Sequence, residues 1–211
     1  MSLNILTDYL PTTIETQGVR YPINWDFRTS ILFEQLMMDD NIDEEKKPWK
    51  ALNLYFGYEI ETIKYINKNN INEFTKQMLL FYRCGKEIET YQDDGESSSE
   101  TQKIYDYEYD SSYIYAAFLQ IYKIDLQDIE DLHWWKFKAL FNSLTDDCKF
   151  MKILGYRNVD LSKIKDKERK NFYKQMKKIY ALPGSIKEKE KQALINEMLL
   201  RGEDPGKLLR Q

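Results

Sequence analysis

The chain has 211 residues, of which 42% are hydrophobic and 14% aromatic. This composition supplies enough apolar side-chain area for a packed core and argues against a disordered chain. No apolar run approaches the roughly 18 residues that a membrane span needs, and the N-terminus lacks the pattern of a signal peptide. Only Cys84 and Cys148 carry thiols. Two free thiols in a reducing, intracellular compartment are therefore favoured over a disulfide.

The net charge of −4 is unevenly distributed along the chain. Residues 1–148 hold 14 Lys/Arg and 27 Asp/Glu, a net charge of −13. Residues 149–192 hold 14 Lys/Arg and 5 Asp/Glu, a net charge of +9. Such polarity favours head-to-tail contacts or an acidic partner for the basic region. Solvated helix faces that differ in charge from region to region are the alternative explanation.

Residues 12–23 predict a β-hairpin around Gln17-Gly18, because glycine can adopt the positive φ that a tight turn requires. Pro22 restricts the second strand to the edge of a sheet. The pairs expected across the hairpin are Thr16 with Val19, Glu15 with Arg20, and Ile14 with Tyr21.

Helices follow the hairpin, as apolar residues at helical spacing and capping residues indicate. Asn24 or Asp26 can cap the first helix, Pro48 suits the first turn of the second, and Gly85 is a natural stop. The predicted ranges are Phe27–Met38, Glu44–Phe56, Glu59–Asn69 and Asn72–Cys84. With the hairpin they make up a predicted N-terminal region, residues 1–85.

Residues 86–103 are acidic, rich in serine and poor in apolar side chains, which predicts a mobile linker. Directly after this segment, Tyr105, Tyr107 and Tyr109 alternate with acidic residues. Strict alternation is the period of a β-strand, or of an extended arm with one aromatic face.

Residues 104–183 predict a helical core region, and residues 184–211 a C-terminal amphipathic helix and tail. The helices expected in the core region run from Ser111 or Ser112 to Tyr122, from Glu130 to Leu144, from Asp146 to Leu154 and from Asp166 to Leu182. Ser185 and Glu188 then form a capping box for the last helix. The expected fold is mainly α, a helical bundle-like domain with a small N-terminal β-hairpin.

Few residues suggest catalysis. His133 is the only histidine, the two cysteines lack ligand partners at zinc spacing, and no glycine-rich loop could cradle a phosphate. A Cys–His pair is formally available, but a core or interface histidine is favoured. We therefore expect no catalytic, cofactor-binding or metal-binding residue, and a protein that acts by binding other proteins.

A basic stretch between residues 163 and 178 could contact nucleic-acid phosphates. Tyr173 and Tyr180 share the apolar face of their helix, however, and are better explained as core than as stacking platforms. The sequence pI of about 5.3 also argues against a dedicated nucleic-acid-binding protein. The candidate basic contact surface consists of Lys163, Lys165, Lys167, Lys170, Lys174, Lys177 and Lys178.

The segment 131–144 is apolar on two sides when drawn as a helix. Such a helix is either central to a core or packs inward with one face and binds a partner with the other. Tryptophan often anchors protein interfaces. The candidate partner-binding residues, each with ordinary core packing as the alternative, are Tyr105, Tyr107, Tyr109, His133, Trp134, Trp135, Phe137, Met198 and Leu199.

Ten short motifs across residues 4–183 are specific when taken together. They are Leu6–Asp8, Leu10–Thr13, Phe81–Gly85, Tyr105–Asp110, Ile114–Phe118, Leu132–Phe137, Asp147–Phe150, Gly155–Arg157, Asp160–Lys167 and Met176–Leu182. This combination resembles the bacteriophage gene-product-fifteen family. Residues 185–211 lie beyond the part that matches.

The resemblance implies a protein of long-tailed phages or prophages of Gram-positive hosts, encoded between the major tail protein and the tape measure. Proteins in that position resemble tail assembly chaperones, which keep the tape measure soluble while tail tube subunits polymerise around it. The resemblance thus implies action in the cytoplasm of the bacterial host and absence from the finished particle. The implied partner is the tape measure, with the tail tube subunit and a second copy of the chain as further candidates.

Three other functions stay open. A structural component of the virion, at the tail or the head–tail junction, is the first alternative. Nucleic-acid binding by residues 163–178 is the second, and an enzyme is the last. We expect neither a nucleic acid nor a membrane among the partners.

Overall fold

The computed structural model describes residues 3–57, 64–87, 104–183 and 201. Within these ranges the chain forms seven helices and one two-stranded antiparallel sheet, so the mainly α class predicted from the sequence is confirmed. Most of the predicted linker 86–103 lies outside the described residues. The same holds for residues 184–211 apart from Arg201, and therefore for Met198 and Leu199.

The elements follow one another from the hairpin to a basic helix. The strands are β1 (Thr13–Thr16) and β2 (Val19–Pro22), and the helices are α1 (Phe27–Met38), α2 (Lys47–Phe56), α3 (Ile71–Tyr82), α4 (Ser111–Tyr122), α5 (Trp134–Asn142), α6 (Lys149–Asn158) and α7 (Lys167–Ile179). Two compact units result. Among the described residues, the first comprises 3–57, 64–87 and 118–144, and the second comprises 104–117, 145–183 and 201.

The hairpin of the first unit has the predicted register, with Ile14 opposite Tyr21 and Glu15 opposite Arg20. Gln17 and Gly18 both adopt positive φ, 52° and 76°, as the turn of a two-residue hairpin requires. Ile14 is buried, and Tyr21 packs against helix α3, where its ring lies 4.9 Å from that of Phe74.

Aromatic packing joins α1, α2, α3 and α5 in the core of the first unit. The ring of Phe27 on α1 stacks on that of Phe137 on α5, with centroids 4.8 Å apart. A buried polar pair lies within this core, because the hydroxyls of Ser30 and Tyr55 are 2.8 Å apart and satisfy each other. Burial raises the pKa of Tyr55, so the phenol stays neutral and can hold this hydrogen bond.

Several predicted helix boundaries were wrong, including both ends of α6, which spans Lys149–Asn158 and not 146–154. Helix α2 starts at Lys47 and not at Glu44, and α5 starts at Trp134 and not at residue 130. The helix expected over 59–69 is helical at 64–65 but not at 66–70. There the Asn70 side chain accepts a hydrogen bond from the backbone of Asn67 at 2.7 Å. Such side-chain bonds compete with the helical backbone pattern.

The strand or extended arm predicted for residues 105–110 was also wrong. Residues 107–110 form a turn directly before α4. The Asp106 carboxylate accepts hydrogen bonds from the backbone N–H groups of Glu108 and Tyr109, at 2.8 and 3.0 Å. Aspartate favours turns through such bonds. The alternation of tyrosine and acid therefore reflects local capping and not a strand.

In the second unit, helices α6 and α7 meet around Tyr156. Its ring lies 5.8 Å from that of Tyr180, in a stacked arrangement, and 6.0 Å from that of Phe172. Asp166 caps α7, because its carboxylate accepts a hydrogen bond from the Arg169 backbone at 2.7 Å. No residue of α7 is fully buried. The helix is therefore stabilised by its half-buried contacts with α6 and by the Asp166 cap.

Candidate partner-binding surfaces

The double-tryptophan helix α5 lies inside the first unit. Trp134 and Phe137 are fully buried, and Trp135 is nearly so. The indole N–H groups donate to the carbonyls of Tyr82 and Phe81, at 2.7 and 2.8 Å. These acceptors lie in the last turn of α3, whose carbonyls are not satisfied by the regular helical pattern. The carbonyl of Phe81 also accepts a hydrogen bond from the backbone N–H of Cys84 at 2.9 Å. The structure therefore places these candidate partner-binding residues in the core, as the alternative interpretation had it.

His133 serves as the N-cap of α5. Its Nδ1 accepts a hydrogen bond from the Trp135 backbone at 3.1 Å, and its Nε2 lies 3.0 Å from the carbonyl oxygen of Pro11. The two contacts together require a neutral ring with its proton on Nε2. Burial lowers the pKa of His133 from its usual value, although the contact with Pro11 opposes that shift. The histidine is thus a capping residue within the core.

The three candidate tyrosines of the second unit differ in exposure. Tyr107 is buried, Tyr105 is half-buried, and Tyr109 is 47% exposed. The Tyr105 ring contacts those of Tyr107 and Phe150, with centroids 5.3 and 6.5 Å away. Of the three, Tyr109 is the exposed one and offers the largest surface to a partner.

The lysines of the candidate basic surface remain at the surface. Lys177 is half-buried and the other six are exposed. Lys163 lies 3.7 Å from Asp160, whereas none of the other lysines forms a salt bridge within the described residues. Their charge is therefore available to an external anion or carboxylate.

A buried ion pair was missed in the sequence. The side chains of Asp110 and Arg157 are almost wholly enclosed in the second unit. The guanidinium also donates to the carbonyls of Ile104 and Tyr180. Because 47 residues separate the partners, no local pattern in a single sequence reveals the pair.

An open groove of about 430 Å³ lies along α6 in the second unit. Gly155 forms part of it, and a Cβ atom built on this glycine would meet nothing within 4 Å. The residues that line the groove are Asp146, Met151, Lys152, Gly155, Tyr156, Asn158, Val159 and Tyr173. On the neighbouring α7, Phe172 and Ile179 are 47% and 61% exposed. The sequence predicted the apolar face of α7 but not this groove.

The described residues contain no group of three or more His, Cys, Asp or Glu side chains placed to hold a metal ion. None of the helices in the described ranges combines the length and apolar character of a membrane span.

Both thiols in the described ranges are free, and burial raises the pKa of Cys84.

A family model described as Bacteriophage Gp15 protein matches residues 6–182. The match includes every helix and strand given above. No curated protein and no solved structure gives a significant match to the chain. The family resemblance inferred from the ten motifs is therefore confirmed.

Proposed function

Because the chain belongs to the bacteriophage Gp15 protein family, we propose that it acts in phage tail assembly as a chaperone that binds the tape measure protein. In this role the chain binds and releases a partner and catalyses no reaction. The partner would be long and helical and would expose apolar stripes until tail tube subunits enclose it.

Helix α7 supports this proposal most directly. Phe172 and Ile179 expose large apolar surfaces. The ring of Phe172 lies 6.0 Å from that of Tyr156, which lines the groove together with Met151 and Tyr173. Flexible methionine and amphipathic tyrosine suit surfaces that adapt to several apolar segments in turn. The basic side chains of the same unit would keep such a complex in solution.

The first experiment is co-expression with the tape measure protein of the same phage or prophage. We expect the tape measure to become soluble and to co-purify with the chain. Co-expression with the tail tube subunit serves as the matched control. A tape measure that stays insoluble, or that is equally soluble alone, would contradict the chaperone role.

Mass spectrometry of purified phage particles separates the chaperone from a structural protein of the virion. A chaperone is expected to be absent or present only in traces beside the tail tube subunit. Stoichiometric presence in the particle would instead favour a component of the tail or the head–tail junction.

A further inference from the structure

We propose that the groove along α6 binds an amphipathic helix of a partner protein whose apolar stripe is flanked by acidic residues. This inference rests on the proposed function for the source of that helix, but the site itself is argued from the second unit alone.

The apolar part of the groove follows one face of α6. Lys152, Gly155, Tyr156 and Val159 have the spacing i, i+3, i+4 and i+7, and therefore share a face of the helix. Because Gly155 has no side chain and the space above it is open, a second helix can approach the α6 backbone closely there. Tyr156 and Val159 are half-buried, so their remaining apolar surface is available for contact.

The dimensions of the groove fit a short helical segment. Helix α6 has ten residues and is therefore about 15 Å long. A ligand helix that lies along it would place about three or four apolar side chains in contact, at the i, i+3, i+4 and i+7 positions typical of helix-in-groove binding.

One lysine and one aspartate line the groove, and two further lysines share the side of α7 that carries Tyr173. Lys152 lines the groove directly. On α7, Lys170 and Lys177 lie three residues before and four residues after Tyr173, on the same side of the helix. Asp146 is the acidic residue of the lining. Residues 145–183 hold 11 Lys/Arg and 5 Asp/Glu, a net charge of +6, so carboxylates along the flanks of a ligand helix would find complementary charge.

A peptide titration with the full-length protein tests the proposal. The probe is a fluorescein-labelled synthetic peptide with leucines at i, i+3, i+4 and i+7 and glutamates beside them. The controls are a peptide of the same composition in scrambled order and a peptide with lysines in place of the glutamates. Fluorescence anisotropy is expected to show binding of the glutamate peptide, weakened several-fold by added salt, and at least about tenfold weaker binding of both controls.

Two matched pairs of variants locate the site. Gly155→Glu places a long charged side chain in the groove and is expected to weaken binding at least about tenfold. Gly155→Ala adds a single methyl group and is expected to weaken binding far less. Lys170→Glu is expected to weaken binding several-fold. Lys178→Glu is the control, because it changes the net charge by the same amount. Lys178 lies about 140° around the axis of α7 from Tyr173, away from the groove, so this variant is expected to bind the peptide as wild type does. Far-UV circular dichroism verifies that each variant folds.

Several outcomes would overturn the proposal. Equal binding of the lysine peptide would remove the charge argument, and normal binding by Gly155→Glu would place the ligand elsewhere. Tighter binding of a DNA duplex than of the glutamate peptide would identify a nucleic-acid surface. A dimer that Gly155→Glu dissociates would identify a second copy as the occupant. If the peptide binds only to the double variant Met198→Asp/Leu199→Asp, this chain's own C-terminal segment occupies the groove in the wild-type protein.

The failure of this inference differs from a failure of the proposed function. If the tape measure co-purifies equally with wild type and with Gly155→Glu, the groove assignment fails and the chaperone role stands. If the glutamate peptide binds the groove but the tape measure never co-purifies, the groove stands and the chaperone role fails.

Discussion

The carboxylate of Asp110 and the guanidinium of Arg157 form a buried, bidentate ion pair, with N–O distances of 2.6 and 2.8 Å. Asp110 precedes α4 and Arg157 lies in α6. Two further N–H groups of Arg157 donate to the carbonyls of Ile104 and Tyr180, at 2.9 and 2.6 Å. One side chain therefore connects the segment before α4, helix α6 and the end of α7.

Asp110→Asn is expected to lower the free energy of unfolding by about 3–5 kcal/mol, because it leaves the Arg157 charge buried without its carboxylate. Urea unfolding followed by far-UV circular dichroism measures this loss. A double-mutant cycle with Arg157→Gln is expected to show an interaction energy of about 1–3 kcal/mol.

The exposed pair between Glu15 and Arg20 provides a matched control. Its closest N–O distance is 3.5 Å, and both side chains are mostly exposed. Glu15→Gln is expected to change stability by less than about 1 kcal/mol. Equal losses from Asp110→Asn and Glu15→Gln would show that the buried pair does not hold the second unit together.

The sequence predicted features that depend on neighbours along the chain. The hairpin register follows from Gln17-Gly18, and α1 has the predicted bounds, with Asp26 as its cap. The Asp110–Arg157 pair and the groove could not be predicted, because both depend on how distant segments pack. The two-sided apolar pattern of α5 indicated its central position but could not show which indole would donate to which carbonyl.

His133 is expected to make stability depend on pH. Nδ1 of His133 accepts a hydrogen bond from the backbone N–H of Trp135, and protonation of Nδ1 would replace this bond with repulsion between two N–H groups. Burial lowers the pKa of His133 in the folded state below 6.5. The unfolded chain, with a pKa of about 6.5, then binds more protons than the folded chain. The free energy of unfolding is therefore largest above about pH 6.5. It falls as the pH drops from there toward the lower pKa of the folded state, by at most about 1.4 kcal/mol per pH unit.

Urea midpoints between about pH 7.5 and about pH 5.5 measure this dependence, and the chain offers a clean control because it has one histidine. Asparagine is also a good N-cap but does not titrate. His133→Asn is therefore expected to keep most of the stability and to lose the dependence on pH in this range. A dependence that persists in the variant would assign it to another group.

The two cysteines are expected to be reduced and slow to react in the native protein. Cys148 is buried, and burial raises the pKa of the half-buried Cys84, which lowers its fraction of reactive thiolate. Titration with a thiol reagent under native conditions is expected to label Cys84 slowly and Cys148 hardly at all. After unfolding without a reductant, both should react at once. Fewer than two reactive thiols in the unfolded protein would indicate a disulfide.

The same substitution at two glycines is expected to have opposite effects on stability. Gly85 lies three residues after the end of α3 with a φ of 75°, and its N–H donates to the carbonyl of Leu80 at 2.9 Å. A Cβ there would lie 3.1 Å from Cη2 of Trp135. Gly85→Ala is therefore expected to cost about 1–2 kcal/mol for the left-handed backbone, and more if the indole cannot move.

Gly155 instead lies within α6, and a Cβ built there meets nothing within 4 Å. Gly155→Ala is expected to raise the free energy of unfolding by about 0.5–1 kcal/mol, because alanine loses less backbone entropy in a helix. Urea unfolding of both variants beside wild type measures the two changes. A loss at Gly155 would mean that the space above α6 is occupied in solution. An unchanged stability of Gly85→Ala would mean that alanine adopts the left-handed conformation there at little cost.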